Sequence, residues 1–276
     1  MKKVTLLFII AILLQMTGIA QQPLKSIKKA DGRVGVVAHR GFYKFDDASE
    51  NSIAAMQHAV DHDFFGTEFD VQYTLDSVAI VYHDASIQGG VPIASMPYVK
   101  LMGLPQAKLK GGETIPTLDQ FLQACSTALA QQRVRHISTR LFYEIKPPAQ
   151  RELVEYVVDE SLKAIDRYGL NNVVVFISFD LDVCAAIAQR VPEMPVAYLG
   201  GDVSPNDLYA KGVQGIDYHY EKLLGNPQWI EEAHRLGMTV NAWTVNNTDI
   251  AKMLQMLEVD MITTDIPLDM ESWFEN

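Results

Sequence analysis

Two short apolar segments carry closely spaced charged side chains. Glu68 and Asp70 are two residues apart in "TEFDV", and the same spacing separates Glu144 from Lys146 in "FYEIK". Residues two apart on a β-strand face the same side, so each pair predicts a shared face. Carboxylates crowded in an apolar interior repel one another and lose hydration unless a cation lies between them. Oxygen ligands of this kind indicate a hard divalent ion, Mg²⁺ or Ca²⁺.

Each pair also has an interpretation without a metal. Glu68 and Asp70 could lie in solvent on an edge strand, and Lys146 with Glu144 could form a structural ion pair. The distribution of other polar residues favours a site, because several lie at or near the downstream ends of separate predicted strands, where barrel enzymes place their chemistry. These residues are His39, Glu68, Glu144, Ser178, Trp243 and Asp265.

Two histidines extend this candidate site. His39 follows the apolar run "VVA", and His83 ends the run in "VYHD". A short turn after Tyr73 makes the second run the return arm of a hairpin, which carries His83 back toward the carboxylates. Two imidazoles beside a divalent ion can give and take protons, so His39 and His83 predict acid–base catalysis. His58 and His62 could also bind metal, but their place on an exterior helix favours a solvated face.

Short runs rich in Val, Ile and Phe alternate with helical patterns, as expected of a parallel α/β fold. The third of nine runs follows the second too closely for a parallel crossover, which leaves eight parallel strands. Eight strands predict a (β/α)8 TIM barrel, although an open doubly wound sheet has the same alternation. The predicted strands are 34–38, 67–73, 79–82, 141–145, 173–177, 196–199, 215–218, 239–243 and 261–263. The predicted helices include 52–62, 118–131, 149–168, 181–190 and 227–236.

Residues 85–116 break this pattern. They contain four prolines and five glycines and have neither period over most of their length, which predicts an ordered but irregular insertion after the hairpin of the second strand. Its apolar side chains leave transient membrane contact open. Cys125 and Cys184 lie in segments rich in Ala and Leu, and this favours two buried thiols over a disulfide.

The N-terminal segment predicts export. Lys2 and Lys3 precede an apolar run, and small residues follow before Gln21, a pattern typical of a cleaved signal peptide at residues 1–20. Residues 21–276 would then form the barrel domain, in the periplasm of a Gram-negative bacterium or outside the cell. Loss of these two lysines changes the net charge from −11 to −13, which disfavours a nucleic-acid partner. The oligomeric state is not indicated.

The motifs of the chain resemble those of glycerophosphodiester phosphodiesterases over nearly its whole length. The matching segments, in chain order, are "AHRG", "ENS", "EFDVQYTLD", "VYHD", "PTL", "YEIK", "AWTVN" and "ITTDIP". The resemblance implies a (β/α)8 barrel that uses a divalent cation, Ca²⁺ or Mg²⁺. The implied reaction hydrolyses small glycerophosphodiesters to glycerol 3-phosphate and an alcohol.

The resemblance also implies a role for individual residues. His39 and His83 match the catalytic pair, and three carboxylates match the metal ligands: Glu68, Asp70 and Glu144. Arg40 and Lys146 match the positions that hold the phosphate, and Trp243 matches an aromatic residue near the glycerol end of the pocket. Glu50 and Asn51 match a supporting motif.

Two departures from the family pattern alter loops. Ser49 stands where proline is usual, and Asp76-Ser77 stands where the family turns on Asp-Gly. The altered entry loop leaves the alcohol unspecified. Two other functions stay open: a phospholipase C-like or sphingomyelinase D-like phosphodiesterase acting on intact lipid, and a non-catalytic barrel that binds a phosphorylated metabolite.

Overall fold

The computed structural model describes residues 32–134 and 139–275. Within these ranges, eight parallel strands succeed one another around a closed barrel, and a ninth pairs antiparallel with the second as a hairpin arm. Pairing of the first strand with both the second and the last closes the sheet, which excludes an open doubly wound sheet. The predicted TIM barrel is confirmed.

Each predicted strand has its counterpart in the structure, with bounds that differ by one residue at most. The barrel strands are β1 (Gly35–Ala38), β2 (Gly66–Tyr73), the hairpin arm β3 (Ala79–Val81), β6 (Arg140–Ile145), β7 (Val174–Ser178), β8 (Val196–Tyr198), β9 (Gly215–His219), β10 (Thr239–Trp243) and β11 (Met261–Thr264). A separate two-stranded ribbon is formed by β4 (Ser86–Ile87) and β5 (Val91–Pro92).

The five predicted helices are present, and further ones cover the barrel between the later strands. The α-helices are Ile53–Asp61, Tyr98–Met102, Leu118–Val134, Val154–Arg167, Leu181–Arg190, Pro205–Tyr209, Tyr220–Gly225, Gln228–Arg235, Thr248–Met256 and Pro267–Glu275, and the 3₁₀ turns are Ile93–Ser95, Pro105–Ala107, Lys110–Gly112 and Arg151–Leu153. Side-chain caps set several starts: Ser52 accepts from the Ala55 amide, and Asp180 accepts from the Asp182 amide. Such caps satisfy backbone donors that the first turn leaves unpaired.

Side-chain alternation divides the core into two layers. On β7, Val175 and Ile177 belong to the barrel interior, whereas Phe176 belongs to the larger cluster between sheet and helices. On β2, Phe69 belongs to that outer cluster, so its neighbour on either side faces inward. This register directs charged side chains of β2 into the barrel.

The insertion at residues 85–116 is folded around a small core of its own. The ribbon and helical turns bury Ile87, Ile93 and Leu101, together with Ile80 from β3. Most of the apolar side chains that left membrane contact open are therefore packed internally, although Val99 is 78% exposed.

Two expectations from the sequence concern other parts of the chain. Cys125 and Cys184 are free and buried, which confirms the predicted thiols, and burial raises the pKa of both. Across the described ranges, no helix combines the length and the apolar character that a membrane span requires. The predicted signal peptide, residues 1–20, lies outside the described residues and stays a prediction.

Candidate active site

A pocket of about 120 Å³ opens among the carboxyl ends of the barrel strands. Its charged lining residues are His39, Arg40, Glu68, His83, Glu144 and Asp217. Its apolar lining residues are Ile177, Phe179, Leu199 and Trp243. The pocket therefore combines titratable groups with an aromatic and aliphatic surface, an arrangement typical of a small-molecule site.

Three acidic side chains from two adjacent strands meet beside this pocket. One carboxylate oxygen each from Glu68, Asp70 and Glu144 lies within 4.8 Å of the others. All three side chains are buried, so Glu68 and Asp70 do not lie in solvent on an edge strand. Glu68 Oε1 is buried and has no hydrogen-bond partner among the described residues. An unpaired buried carboxylate oxygen beside two others fits a divalent cation with oxygen ligands.

Burial and mutual repulsion shift the acidity of this cluster. Burial, with the charges of Asp70 and Glu144, raises the pKa of Glu68. Burial and the charge of Asp70 raise the pKa of Glu144 to about 8. Burial also acts to raise the pKa of Asp70, but Lys146 outweighs it and the net pKa falls. The cluster thus carries excess negative charge, which a bound cation would compensate.

Lys146 supplies part of that charge. Its Nζ lies 2.7 Å from Asp70 Oδ1 and 2.7 Å from Glu144 Oε1. Burial lowers the pKa of this ammonium, yet the two carboxylates more than offset the effect and hold its pKa above the usual value. A simple ion pair between Lys146 and Glu144 therefore does not describe the contacts, because Lys146 joins two carboxylates of the acidic cluster.

Asn51 and Arg40 fix the carboxylates from the loop after β1. Asn51 Nδ2 donates to Asp70 Oδ2 at 2.8 Å, and Asn51 Oδ1 accepts from the Asp70 amide at 3.0 Å. The Arg40 amide donates to Glu68 Oε2 at 2.8 Å, and Arg40 Nη1 donates to Glu50 Oε2 at the same distance. The residues of the "HRG" and "ENS" motifs thus hold the acidic cluster through backbone and side chain.

The turn that makes these contacts requires glycine at position 41. Gly41 has φ +81, and a Cβ there would lie 2.7 Å from the backbone carbon of Ala55. Arg40 also has a positive φ of 54, a region that non-glycine residues rarely adopt outside functional sites. The chain therefore turns sharply after His39.

His39 is held by Asp265. The sequence placed Asp265 near a strand end but assigned it no role. Nδ1 of His39 lies 2.7 Å from Asp265 Oδ1, and Asn246 Nδ2 donates to Asp265 Oδ2 at 2.7 Å. Burial alone would raise the pKa of Asp265, but these hydrogen bonds and the imidazole lower it to about 2. The ionised carboxylate accepts from Nδ1, which leaves Nε2 as the nitrogen available for proton transfer.

His83 has a similar partner in a more open setting. Its Nδ1 lies 2.7 Å from Asp84 Oδ1, but the Asp84 side chain is 68% exposed, against 19% for Asp265. The Tyr82 amide donates to the Asp70 carbonyl at 2.9 Å and anchors the end of the hairpin arm beside the acidic cluster. His39 and His83 thus line one pocket, as the hairpin argument predicted.

Trp243 lies at the aromatic part of the pocket. Its indole Nε1 donates to the Asp217 carbonyl at 2.8 Å, and its ring meets Phe179 edge-on at 5.5 Å between centroids. His219 also packs against Trp243, with the two rings nearly perpendicular and 5.2 Å between centroids. This aromatic group offers apolar contact to the carbon atoms of a bound ligand.

All ten predicted site residues therefore converge. Six line the pocket, and Asp70, Lys146, Asn51 and Glu50 contact them directly or through the acidic cluster. Ser178, also at a strand end, donates instead to the Ile145 carbonyl and supports the backbone. Asp217 was not predicted, although its inward position between Ile216 and Tyr218 on a strand was a usable signal.

The unusual Ser49 has a structural contact of its own. Its Oγ accepts from the Lys110 amide at 2.9 Å, and Lys110 Nζ lies 2.6 Å from Asp47 Oδ1. Proline at position 49 would offer no such acceptor. The departure from the family pattern thus joins the entry loop to the insertion.

Comparisons with known proteins identify the same family. The family model described as "Glycerophosphoryl diester phosphodiesterase family" matches residues 39–269. A crystal structure of a glycerophosphodiester phosphodiesterase from Parabacteroides distasonis is 34% identical, with a TM-score of 0.81, and the match covers 88% of this chain and 97% of that one.

Two further proteins are similar over most of their length. YhdW of Bacillus subtilis, named as a glycerophosphodiester phosphodiesterase, is 28% identical over 84% of this chain and 94% of its own. An Oleispira antarctica phosphodiesterase, solved in complex with the product sn-glycerol-3-phosphate, shares the fold with 22% identity and a TM-score of 0.72, over 89% of this chain and 98% of that one.

Proposed function

Because this chain belongs to the glycerophosphoryl diester phosphodiesterase family and is thus a phosphoric diester hydrolase, we propose that it hydrolyses glycerophosphodiesters with the help of one divalent cation. The products are glycerol 3-phosphate and an alcohol. The main support is the convergence of three buried carboxylates with two histidines in one pocket. The product bound to the Oleispira protein supports glycerol 3-phosphate as the retained half.

In this proposal, Glu68, Asp70 and Glu144 hold the cation, Ca²⁺ or Mg²⁺. The buried oxygens of all three and the raised pKa values of Glu68 and Glu144 support such a role, because these two carboxylates need positive charge to remain ionised. When bound, the cation supplies positive charge that an anionic phosphodiester requires. Asn51 keeps Asp70 oriented, and this restricts the rotation of one ligand.

Arg40 and Lys146 bind the phosphate oxygens. A guanidinium can engage two oxygens at once, and an ammonium adds a point charge. Both side chains are already fixed by carboxylates, Arg40 by Glu50 and Lys146 by Asp70. Positioned cations lose little side-chain freedom on binding, which favours recognition of a small anion despite the acidic chain.

The two histidines move protons. One takes a proton from the nucleophile, and the other gives a proton to the leaving alcohol. Asp265 orients His39 and Asp84 contacts His83, each through Nδ1. The same residues are compatible with three candidate nucleophiles, namely water, a neighbouring hydroxyl of the substrate or a histidine nitrogen.

A panel of glycerophosphodiesters tests this function. The protein is treated with EDTA, and release of glycerol 3-phosphate is then measured with added Mg²⁺ or Ca²⁺ for choline, ethanolamine, glycerol and inositol diesters. We expect turnover with at least one diester, lost in EDTA and restored by a divalent ion. Turnover unaffected by EDTA would refute the role of the cation. Hydrolysis of intact phospholipid but of no glycerophosphodiester would refute the proposed substrate class.

Substitution of the histidines tests the proton carriers. His39→Ala and His83→Ala should each lower kcat by about 10²- to 10⁴-fold without unfolding the protein. Circular dichroism verifies the fold of each variant. Ordinary turnover by either folded variant would exclude that histidine from the reaction.

A further inference from the structure

The pocket contains one buried acidic group that the proposed reaction does not use. Asp217 is 2% exposed and lines the pocket from β9. Its Oδ1 has no hydrogen-bond partner among the described residues. A buried acceptor left unpaired destabilises the protein, so most such groups have a partner in the functional state.

The surroundings of Asp217 are polar on one side and aromatic on the other. Asn241 lies opposite Asp217 in the register between β9 and β10, and its Nδ2 donates to Thr263 Oγ1 at 2.8 Å. The Asn241 side chain is also a hydrogen-bond partner of the Asp217 carboxyl group, whose Oδ1 stays unpaired. Thr263 also lines the pocket. Trp243 donates to the Asp217 carbonyl, which leaves the carboxyl oxygens free of this contact. Asp217, which carries the unpaired Oδ1, therefore lines the same pocket as the aromatic ring of Trp243.

We propose that Asp217 determines specificity by hydrogen bonding to a free hydroxyl of the glycerol half of the substrate. The inference rests on the proposed function, in which the pocket holds a glycerophosphate group. A hydroxyl suits this position because it can donate to a carboxylate or accept from a carboxylic acid. Trp243 meanwhile contacts the glycerol carbon atoms.

This contact would discriminate against ligands that lack the hydroxyl. Such a ligand would still fill the pocket but would leave Asp217 Oδ1 buried and unpaired. Sites built to bond a substrate hydroxyl reject analogues without it more strongly than apolar pockets reject a missing methylene. An acylated glycerol would lose the donor and add volume, so the same group would favour deacylated substrates.

The experiment compares glycerol 3-phosphate with n-propyl phosphate, which lacks only the two hydroxyls. Titration calorimetry gives the ratio of their dissociation constants with and without Mg²⁺, for wild type, Asp217→Leu and Asp217→Val. We expect each variant to reduce the preference for glycerol 3-phosphate by about 10- to 100-fold, mainly through weaker binding of that ligand. Asp217→Val also removes both carboxyl oxygens and carries the test if the leucine variant does not fold.

Thr67→Val provides a matched control. Thr67 Oγ1 is also buried and unpaired among the described residues, but it does not line the pocket. We expect its variant to keep the wild-type ratio, and both Asp217 variants to unfold at the wild-type temperature or higher. An unchanged ratio in a folded Asp217 variant would overturn the inference, and an unchanged ratio with lower stability would assign Asp217 a structural role.

The outcome is separable from that of the proposed function. A wild-type protein that neither hydrolyses glycerophosphocholine nor binds glycerol 3-phosphate would refute the proposed function and the inference together. A wild-type protein that does both, but whose preference does not depend on Asp217, would refute the inference alone.

Discussion

Replacement of Asp265 by asparagine should disable His39 without removing it. The carboxylate of Asp265 accepts from two donors, His39 Nδ1 and Asn246 Nδ2, each at 2.7 Å. An amide has a single acceptor oxygen, so one of these donors must lose its partner. If His39 loses it, the ring can place its proton on Nε2, which is then unable to act as a base.

The size of the effect follows from these contacts. A wrongly protonated or misdirected imidazole should lower kcat by about 10²- to 10⁴-fold, which corresponds to roughly 3–5 kcal/mol of transition-state stabilisation. The effect on folding should be smaller, about 1–2 kcal/mol, because the pair is partly hydrated. The pKa of Asp265 is lowered to about 2, so its stabilisation is full above about pH 4 and is lost as pH falls toward 2.

Asp84→Asn is the matched comparison. The distance from His83 Nδ1 to Asp84 Oδ1 is also 2.7 Å, but Asp84 is 68% exposed. Exposed ion pairs contribute about 0–1 kcal/mol, so this variant should lose less than about tenfold in kcat. The assay measures kcat and KM for glycerophosphocholine in both variants, with thermal unfolding at pH 7.

The reasoning would be refuted by two results. Wild-type kcat in Asp265→Asn would mean that the contact does not orient the catalytic ring. Equal losses in Asp265→Asn and Asp84→Asn would mean that burial of the pair does not determine its contribution. A rise in KM with unchanged kcat would assign Asp265 to substrate binding instead.

Three further outcomes concern the acidic cluster. Lys146→Met leaves Asp70 and Glu144 without their shared ammonium. We therefore expect calorimetry to give a lower unfolding temperature for this variant in EDTA, and added Mg²⁺ to restore part of the loss. An unchanged unfolding temperature would argue against charge compensation by Lys146. Asn51→Ala removes both hydrogen bonds to Asp70 and should weaken cation affinity about 10- to 100-fold by isothermal titration, whereas wild-type affinity would exclude an orienting role. A cation at 100 times its dissociation constant should stabilise the wild type by about 2.7 kcal/mol, and Glu144→Gln should lose most of this gain; equal stabilisation of both would place the cation elsewhere.

Local sequence patterns predicted much of the fold. Alternating apolar runs located the strands because side-chain direction reverses at each residue of a strand. The turn after Tyr73 identified the hairpin arm, since five residues cannot make a parallel crossover. The insertion was predicted as irregular, but its separate core around Ile93 depends on contacts among distant residues that no local period encodes.

Motif residues predicted most of the site as well, and their number and spacing indicated a cation with two proton carriers. The identity of the partners was not predictable. Asp265 is 226 residues from His39 in the chain, and only closure of the barrel between β1 and β11 brings them into contact. Pairing of β1 with β2 brings the Asp70 carboxylate to Asn51.

The sequence by itself determined where the strands lie along the chain and that Glu68 and Asp70 share one face of β2. Tertiary structure alone decided which charges are compensated, which histidine has the less exposed carboxylate partner and that Asp217 lines the pocket with an unpaired oxygen. The physical reason is that residue type and local register fix side-chain direction, whereas hydrogen-bond partners and hydration depend on distant strands that meet only in the closed barrel.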